Sequence, residues 1–378
     1  MDGPAYPAAR AVAAKMERYF QRQMLDGGDG ARLHESRLPN AADIEGIIDA
    51  AFWASLRREE GYEPKVSLTF LRPEQTRAPL KFERPILLGP ASLAKLAPAV
   101  ERPGIHLGVW REGDALSVWG TTRDIPTYGF VLEVVEPGLL VVKHRRSDAG
   151  KFVNVLVLEG DRIKVVDERA SSLPDCPPVL TSMLGFQVTS GTVDDVNVLV
   201  ELAVSMRAHK RGGSLLVVPS GNEAWRESIL EPAGYAISPP FSELAALMHQ
   251  PAAVRHERQW QDALHRSVEA IAGLTAVDGA TLITDRYDVL AFGAKIGRRD
   301  GWTRVQEILT TEPIEGSTPT TVHPAELGGT RHLSAAQFVQ DQREALALVA
   351  SQDGRFTIFT WSPCENMVHA HRVESLLI

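Results

Sequence analysis

The stretch LVELAVSMRAHKRGGSLLVVP, residues 199–219, decides how the second half of this 378-residue chain is read. Its apolar residues recur first at helical spacing and then run on without interruption. The basic run His209, Lys210, Arg211 suits the negative end of a helix, Gly212 and Gly213 stop it, and SLLVVP reads as a buried strand. A helix over 193–208 packed onto a sheet follows. Toward the C-terminus, a long helix from Val254 to about Thr275 leads into the strand DGATLI (278–283). A turn at Asp285 to Asp288 then gives the strand VLAFGAKI (289–296). A helix is expected after Ser334, and the strands ALALVAS (345–351) and FTIFTW (356–361) are joined by Gln352, Asp353, Gly354 and Arg355. Helices alternating with strands make this half α/β, a mixed sheet flanked by helices.

Working toward the N-terminus, the Pro-rich stretch Leu173 to Pro178 marks a boundary near residue 180, separating a domain over 1–180 from one over 181–378. The first sixty residues are helical in pattern: an Ala-rich stretch from Ala8 to Met24, a Gly/Asp break at Asp26 to Gly30, then a second helix. In that helix Ile44, Ile47, Ile48, Ala51, Phe52 and Leu56 form one apolar stripe, with Asn40 or Asp43 available as cap. From Val66 to Val166 the period changes to two, in the short runs VSLTF, GIHLGVW, ALSVWG, GFVLEVV, LLVVKH, FVNVLVL and IKVV. The N-terminal domain is therefore α+β with mostly antiparallel strands. Trp110 and Trp119 read as packing residues of a half-buried sheet face rather than a ligand-stacking pair.

At 44% hydrophobic and 23% charged the composition is that of a globular protein. Lys plus Arg number 40 against 48 Asp plus Glu, a net charge of −8, so bulk electrostatics do not draw the chain to polymeric nucleic acid. A nucleotide would need a local site. Cys176 and Cys364 read as inert thiols, which suits a reducing cytoplasm. No apolar run approaches the ~20 residues that span a bilayer, and MDGPAYPAAR has no basic segment leading into an apolar stretch. A cytoplasmic protein without a membrane partner is expected.

Three segments of the C-terminal half put polar groups at strand ends. In Asp278-Gly279-Ala280 a carboxylate precedes a glycine, where a ligand can approach the backbone, and Asp278 offers hard oxygen to Mg²⁺ or Mn²⁺; the plain alternative is a turn cap. In 327–336, LGGTRHLSAA, two glycines lead into hydroxyl, guanidinium, imidazole and hydroxyl groups at a helix start. Gly329 and the free N–H groups there suit an anion, Arg331 fits a phosphate, and Thr330 and Ser334 add short donors. The alternative is an ordinary helix cap with an exposed arginine. In 351–354, SQDG, a tight hairpin could present Ser351 or Gln352 to a base or a phosphate.

In order and local sequence these segments resemble the diadenylate cyclase domain over roughly residues 185–365, the family defined by Asp-Gly-Ala and Arg-His-Arg motifs. That resemblance implies a mixed sheet flanked by helices that makes cyclic di-AMP from two ATP molecules, with sites facing each other across a homo-oligomer. It assigns Asp278 to the metal and to activating the ribose 3′-hydroxyl. Thr330, Arg331, His332 and Ser334 would hold phosphates, and Gly279, Ala280, Gly329, Ser351 and Gln352 would lie by the nucleotide. One departure is informative: Leu333 stands where that family has its second arginine. A lost charge-assisted hydrogen bond is worth about 1.5–3 kcal/mol, which binding survives better than catalysis does. With AFWASLRREEG (51–61), GIHLGVW (104–110) and GGSLLVVPSG (212–221), the whole chain is similar to the probable sensor domain family DACNV, whose members are thought to sense nucleotides in bacterial defence or signalling.

Three readings stand: a nucleotide-binding sensor taking ATP or a cyclic or linear nucleotide, an active diadenylate cyclase, and an interaction scaffold with a vestigial pocket. The polar segment Arg298 to Glu326 reads as a surface loop, either a lid over the nucleotide or an idle insertion, and Pro219 to Val254 as a further insertion. His369, His371 and Cys364 fall short of a supported zinc site. Ser220-Gly221 lacks the flanks of a nucleophile elbow. Lys143, His144, Arg145, Arg146 and Lys151 read as a solvated hairpin end.

Overall fold

The computed structural model describes residues 5–26, 38–145, 152–167, 169, 176–184, 198–230 and 234–378. The expected break at 27–30, the basic residues 146 and 151, half of the Pro-rich stretch (173–175) and the start of the expected helix (193–197) lie outside the described residues. The chain forms two compact units, Met1–Val166 with Ile378, and Asp167–Leu377. Each is mixed α/β around its own sheet.

In the first unit, α1 (Pro7–Asp26), α2 (Ala41–Ser55) and α3 (Pro90–Leu96) accompany eight strands. These are β1 (Ser67–Phe70), β2 (Leu80–Leu87), β3 (His106–Glu112), β4 (Ala115–Thr122), β5 (Phe130–Glu136), β6 (Leu139–Arg145), β7 (Phe152–Glu159) and β8 (Arg162–Val165). Their order is β2-β4-β3-β1-β5-β6-β7-β8; β1 runs parallel to β3 and the other pairs are antiparallel. Both expected caps act on α2: Asn40 Oδ1 accepts from Asp43 N at 2.9 Å, and Asp43 Oδ2 accepts from Asn40 N at 2.8 Å. Its Ile44, Ile47, Ile48 and Ala51 are fully buried with Met16, Phe20, Leu68 and Leu140. Asp43 also accepts from Arg111 Nε at 2.7 Å, tying the helix start to β3. Strand β2 carries no alternating signal because it is an exposed edge, and its Pro85 falls in the gap between the paired positions Lys81 and Ile86, where no ladder donor is needed.

The second unit contains α4 (Pro178–Met183), α5 (Val198–Ala208), β9 (Gly213–Val218), β10 (Tyr235–Phe241), α6 (Glu243–Met248), α7 (Arg258–Thr275), β11 (Ala280–Thr284) and β12 (Val289–Ala294). After them come β13 (Ile308–Thr311), β14 (Thr320–Val322), α8 (Pro324–Leu327), α9 (Thr330–Asp341), β15 (Leu346–Ala350), β16 (Phe356–Ser362) and β17 (Met367–Arg372). The nine-stranded sheet runs β10-β12-β11-β9-β15-β16-β17-β13-β14, with β9 and β11 parallel, β13 and β17 parallel, and the other pairs antiparallel. Alternate strand residues divide between two faces. Leu216, Val218, Leu282, Ala347, Val349 and Phe359 pack with Phe338 and Val339 of α9. The intervening Leu215, Val217 and Leu348 are buried too, and α5 and α7, packed on each other, also contact strands of this sheet.

Two expectations change. The helix placed after Ser334 begins at Thr330, because Gly329 takes the extended cap conformation and the next residues already form the first turn. The segment 298–326 is not a lid: its β-branched residues pair as β13 and β14 and extend the sheet beside β17, with Val305 and Ile308 in the core. Among the described residues no helix is long and apolar enough to cross a membrane.

Candidate functional site

Sheet topology brings distant residues to one place. Because β9 and β11 are parallel, the turns that precede them, Gly212-Gly213 and Asp278-Gly279, lie at the same end of the sheet. The antiparallel partner β15 ends there too, Ala350 pairing with Gly213, and so does β12, Ala294 pairing with Ala280. The start of α9 closes the group. Together they line a cleft of about 790 Å³ that contains all ten residues singled out from the sequence: Asp278, Gly279, Ala280, Gly329, Thr330, Arg331, His332, Ser334, Ser351 and Gln352.

Gly279 is needed for reasons internal to the protein. It has φ +112°, and a Cβ there would fall 2.4 Å from the carbonyl carbon of Gly293 on the neighbouring strand. The close approach expected of a ligand is thus made by backbone, and it delivers the Asp278 side chain to the lip of the cleft.

At the start of α9, Gly329 supplies no side-chain cap, and Gly329, Thr330 and Arg331, whose N–H groups belong to the uncapped first turn, line the cleft. Among the described residues no carboxylate forms an ion pair with Arg331; Asp278 feels its positive charge at longer range. Other charges in the cleft are matched locally. The Asp278 carboxylate, largely exposed, accepts a hydrogen bond from Lys295, and Arg355 Nε lies 3.2 Å from Asp353 Oδ2. The bonded ammonium of Lys295, then its charge and that of Arg331, hold the Asp278 carboxyl below the usual carboxylate range. The hairpin turn is closed by Ser351 N donating to Arg355 O at 2.9 Å, and Gln352 Nε2 reaches Arg211 O at 3.5 Å.

His332 borders the cleft but is almost fully buried. It is 2% exposed, with Nε2 3.5 Å from Thr357 Oγ1 and its ring edge-on to Phe359. A Cβ on Gly328 would fall 2.4 Å from its Nδ1, so the first of the paired glycines exists to admit this ring. Burial pushes its pKa below the ordinary value. A histidine that is harder to protonate folded than unfolded leaves stability intact above about pH 6.5 and erodes it as pH falls below. The denaturation midpoint of the second unit is expected to drop on acidification from pH 7 to 5.5. His332→Gln should flatten that slope, and an unchanged slope would contradict the assignment.

Leu333 does not line the cleft. It packs against the core and borders a neighbouring groove with Arg298, Arg304, Ser334 and Gln337. Sequence reasoning missed Lys295, Ser214, Asp353 and Arg355, all of which line the cleft. The other histidines are engaged elsewhere: His369 Nε2 and His371 Nδ1 share Thr311 Oγ1 at 2.9 and 3.2 Å.

The donor set does not make a self-sufficient cation site. Asp278 is a single exposed carboxylate already bonded to an ammonium, and among the described residues no group of three or more His, Cys, Asp or Glu is placed to hold a metal.

No curated protein matches the chain. Among solved structures, a hypothetical membrane spanning protein from Bacillus cereus aligns at 18% identity with a TM-score of 0.25, covering 46% of this chain and 61% of that one. The match therefore spans less than two thirds of that protein's length. A family model matches within the first unit, over residues 33–123, where α2 and the first strands of its sheet lie and where AFWASLRREEG and GIHLGVW occur. Over that stretch the chain is similar to the family described as probable sensor domain DACNV, in agreement with the resemblance read from those segments.

Proposed function

We propose that the second unit is a nucleotide-binding sensor module and that its cleft takes the polyphosphate of ATP or of a cyclic or linear nucleotide. The observation that carries this is Arg331, a guanidinium without an ion-pair partner among the described residues, set beside the uncapped start of α9 in a cleft of about 790 Å³. Free N–H groups, the positive end of a helix and a planar cation together favour an anion. The volume lies within the range of small-molecule sites. Positioning groups are abundant, whereas among the described residues no cluster of carboxylates or histidines gathers round Asp278 to hold a catalytic metal, which favours binding over nucleotidyl transfer. The sensor family match over residues 33–123 supports a signalling setting, which we extend to bacterial defence.

The test is a thermal-shift titration of the whole chain with ATP and Mn²⁺, run beside chromatography of the incubated nucleotide. A ligand-dependent rise in melting temperature with no product is expected, since a ligand that binds only the native state raises its apparent stability. A cyclic or linear dinucleotide product that vanishes in Asp278→Asn would make the protein a cyclase. No shift with any nucleotide would overturn the proposal.

A further inference from the structure

We infer that Lys295, rather than a divalent cation, neutralises the ligand's phosphates beside Arg331, so that nucleotide binding here is independent of metal; this rests on the nucleotide reading above. Lys295 directly follows β12, and its root is fixed: its carbonyl accepts from Leu230 N at 2.8 Å, and Gly297 N donates to Ser228 O at 2.9 Å. From that anchored backbone the side chain enters the cleft and its ammonium meets the Asp278 carboxylate. The position that a metal bound to Asp278 would need is thereby filled by a charge the chain carries itself.

The charge inventory of the cleft agrees. Its charged side chains are Asp278, Lys295, Arg331, Asp353 and Arg355, three cations against two carboxylates. With Asp353 on Arg355 and Asp278 on Lys295, each carboxylate already has a cation. A divalent ion would have to displace the ammonium and would then gain only one protein oxygen. A phosphate has the easier exchange. An ion pair with both partners largely exposed is weak, so the flexible ammonium can move from carboxylate to phosphate without leaving water. Asp278 acts in this arrangement as a positioning residue that holds Lys295 toward the cleft and competes with the ligand for it.

Equilibrium binding of ATP, in EDTA and in Mg²⁺, to the full chain and to Lys295→Met, Lys295→Arg and Asp278→Asn tests this. Wild type is expected to bind with affinities within about threefold in the two conditions. Lys295→Met should lose tenfold or more in EDTA, with Lys295→Arg recovering most of it. Asp278→Asn should tighten binding severalfold, because the competing carboxylate is gone. Both lysine variants replace a largely exposed side chain, and far-ultraviolet circular dichroism checks that they fold. Binding that requires Mg²⁺, or that Asp278→Asn abolishes, would overturn the metal-independent role while leaving the nucleotide reading in place. Absence of ATP binding by wild type in both conditions would instead overturn the nucleotide reading itself.

Discussion

Replacing Trp119 by alanine is expected to destabilise the first unit by about 3–5 kcal/mol, the cost of emptying a large buried aromatic site. The indole is 5% exposed and packs with Leu71, Ile125 and Val131, and its Nε1 donates to Leu71 O at 2.7 Å. Truncation therefore opens a cavity and also leaves a buried carbonyl without its donor, a further cost of about 1–3 kcal/mol where water cannot enter. Trp119→Phe keeps most of the packing and removes only the donor, so it should lie well below the alanine variant. Denaturant unfolding followed by circular dichroism gives both values. A loss under 1 kcal/mol for the alanine variant would show that the indole does not organise this part of the sheet.

Arg331→Ala is expected to weaken ATP binding by tenfold to a hundredfold or more while changing stability little. The side chain is partly exposed and has no ion-pair partner among the described residues, so its removal orphans no buried charge within the protein. A charge-assisted hydrogen bond of about 1.5–3 kcal/mol corresponds to roughly 10- to 150-fold in affinity, and a bidentate contact sits at the upper end. Arg331→Lys should recover only part of the loss, because an ammonium cannot reproduce the planar fork. Calorimetric titration decides the matter: equal affinities for wild type and Arg331→Ala would remove this residue from the site.

Fold class was legible because two periodicities switch cleanly along the chain. The isoleucines of α2 repeat at helical spacing behind an Asn-Asp capping box, and the β-branched runs from VSLTF to IKVV form β1 and β3 to β8, most of them buried at consecutive positions. What escaped was what lacks a buried face. Strand β2 is an edge with a proline and charged residues, β10 carries the Pro239-Pro240 pair at the opposite edge of its sheet, and β13 with β14 is a polar outer hairpin. Edge pairing is set by neighbours, and single-sequence periodicity does not record neighbours.

The lining of the candidate cleft was legible in part, for a related reason. Asp278-Gly279 and Gly329-Thr330-Arg331 carry local chemistry, so each could be named, but their meeting in one cleft depends on where α9 starts against the sheet, which no local pattern records. With α9 starting at Thr330, position 332 faces Thr357 and Phe359 and position 333 faces the core and the adjoining groove. Lys295 was overlooked because its significance depends on a cross-hairpin contact with Asp278, which no spacing rule reports.

The central claim is that the Asp278 lip, the α9 start and the Ser351–Arg355 turn form one polyphosphate site. A crystal structure of the chain grown with ATP tests it most directly. Phosphate oxygens are expected within hydrogen-bond distance of the Thr330 and Arg331 amides and of the Arg331 guanidinium. Nucleotide density elsewhere on the molecule, with this cleft holding only water at millimolar ATP, would contradict it.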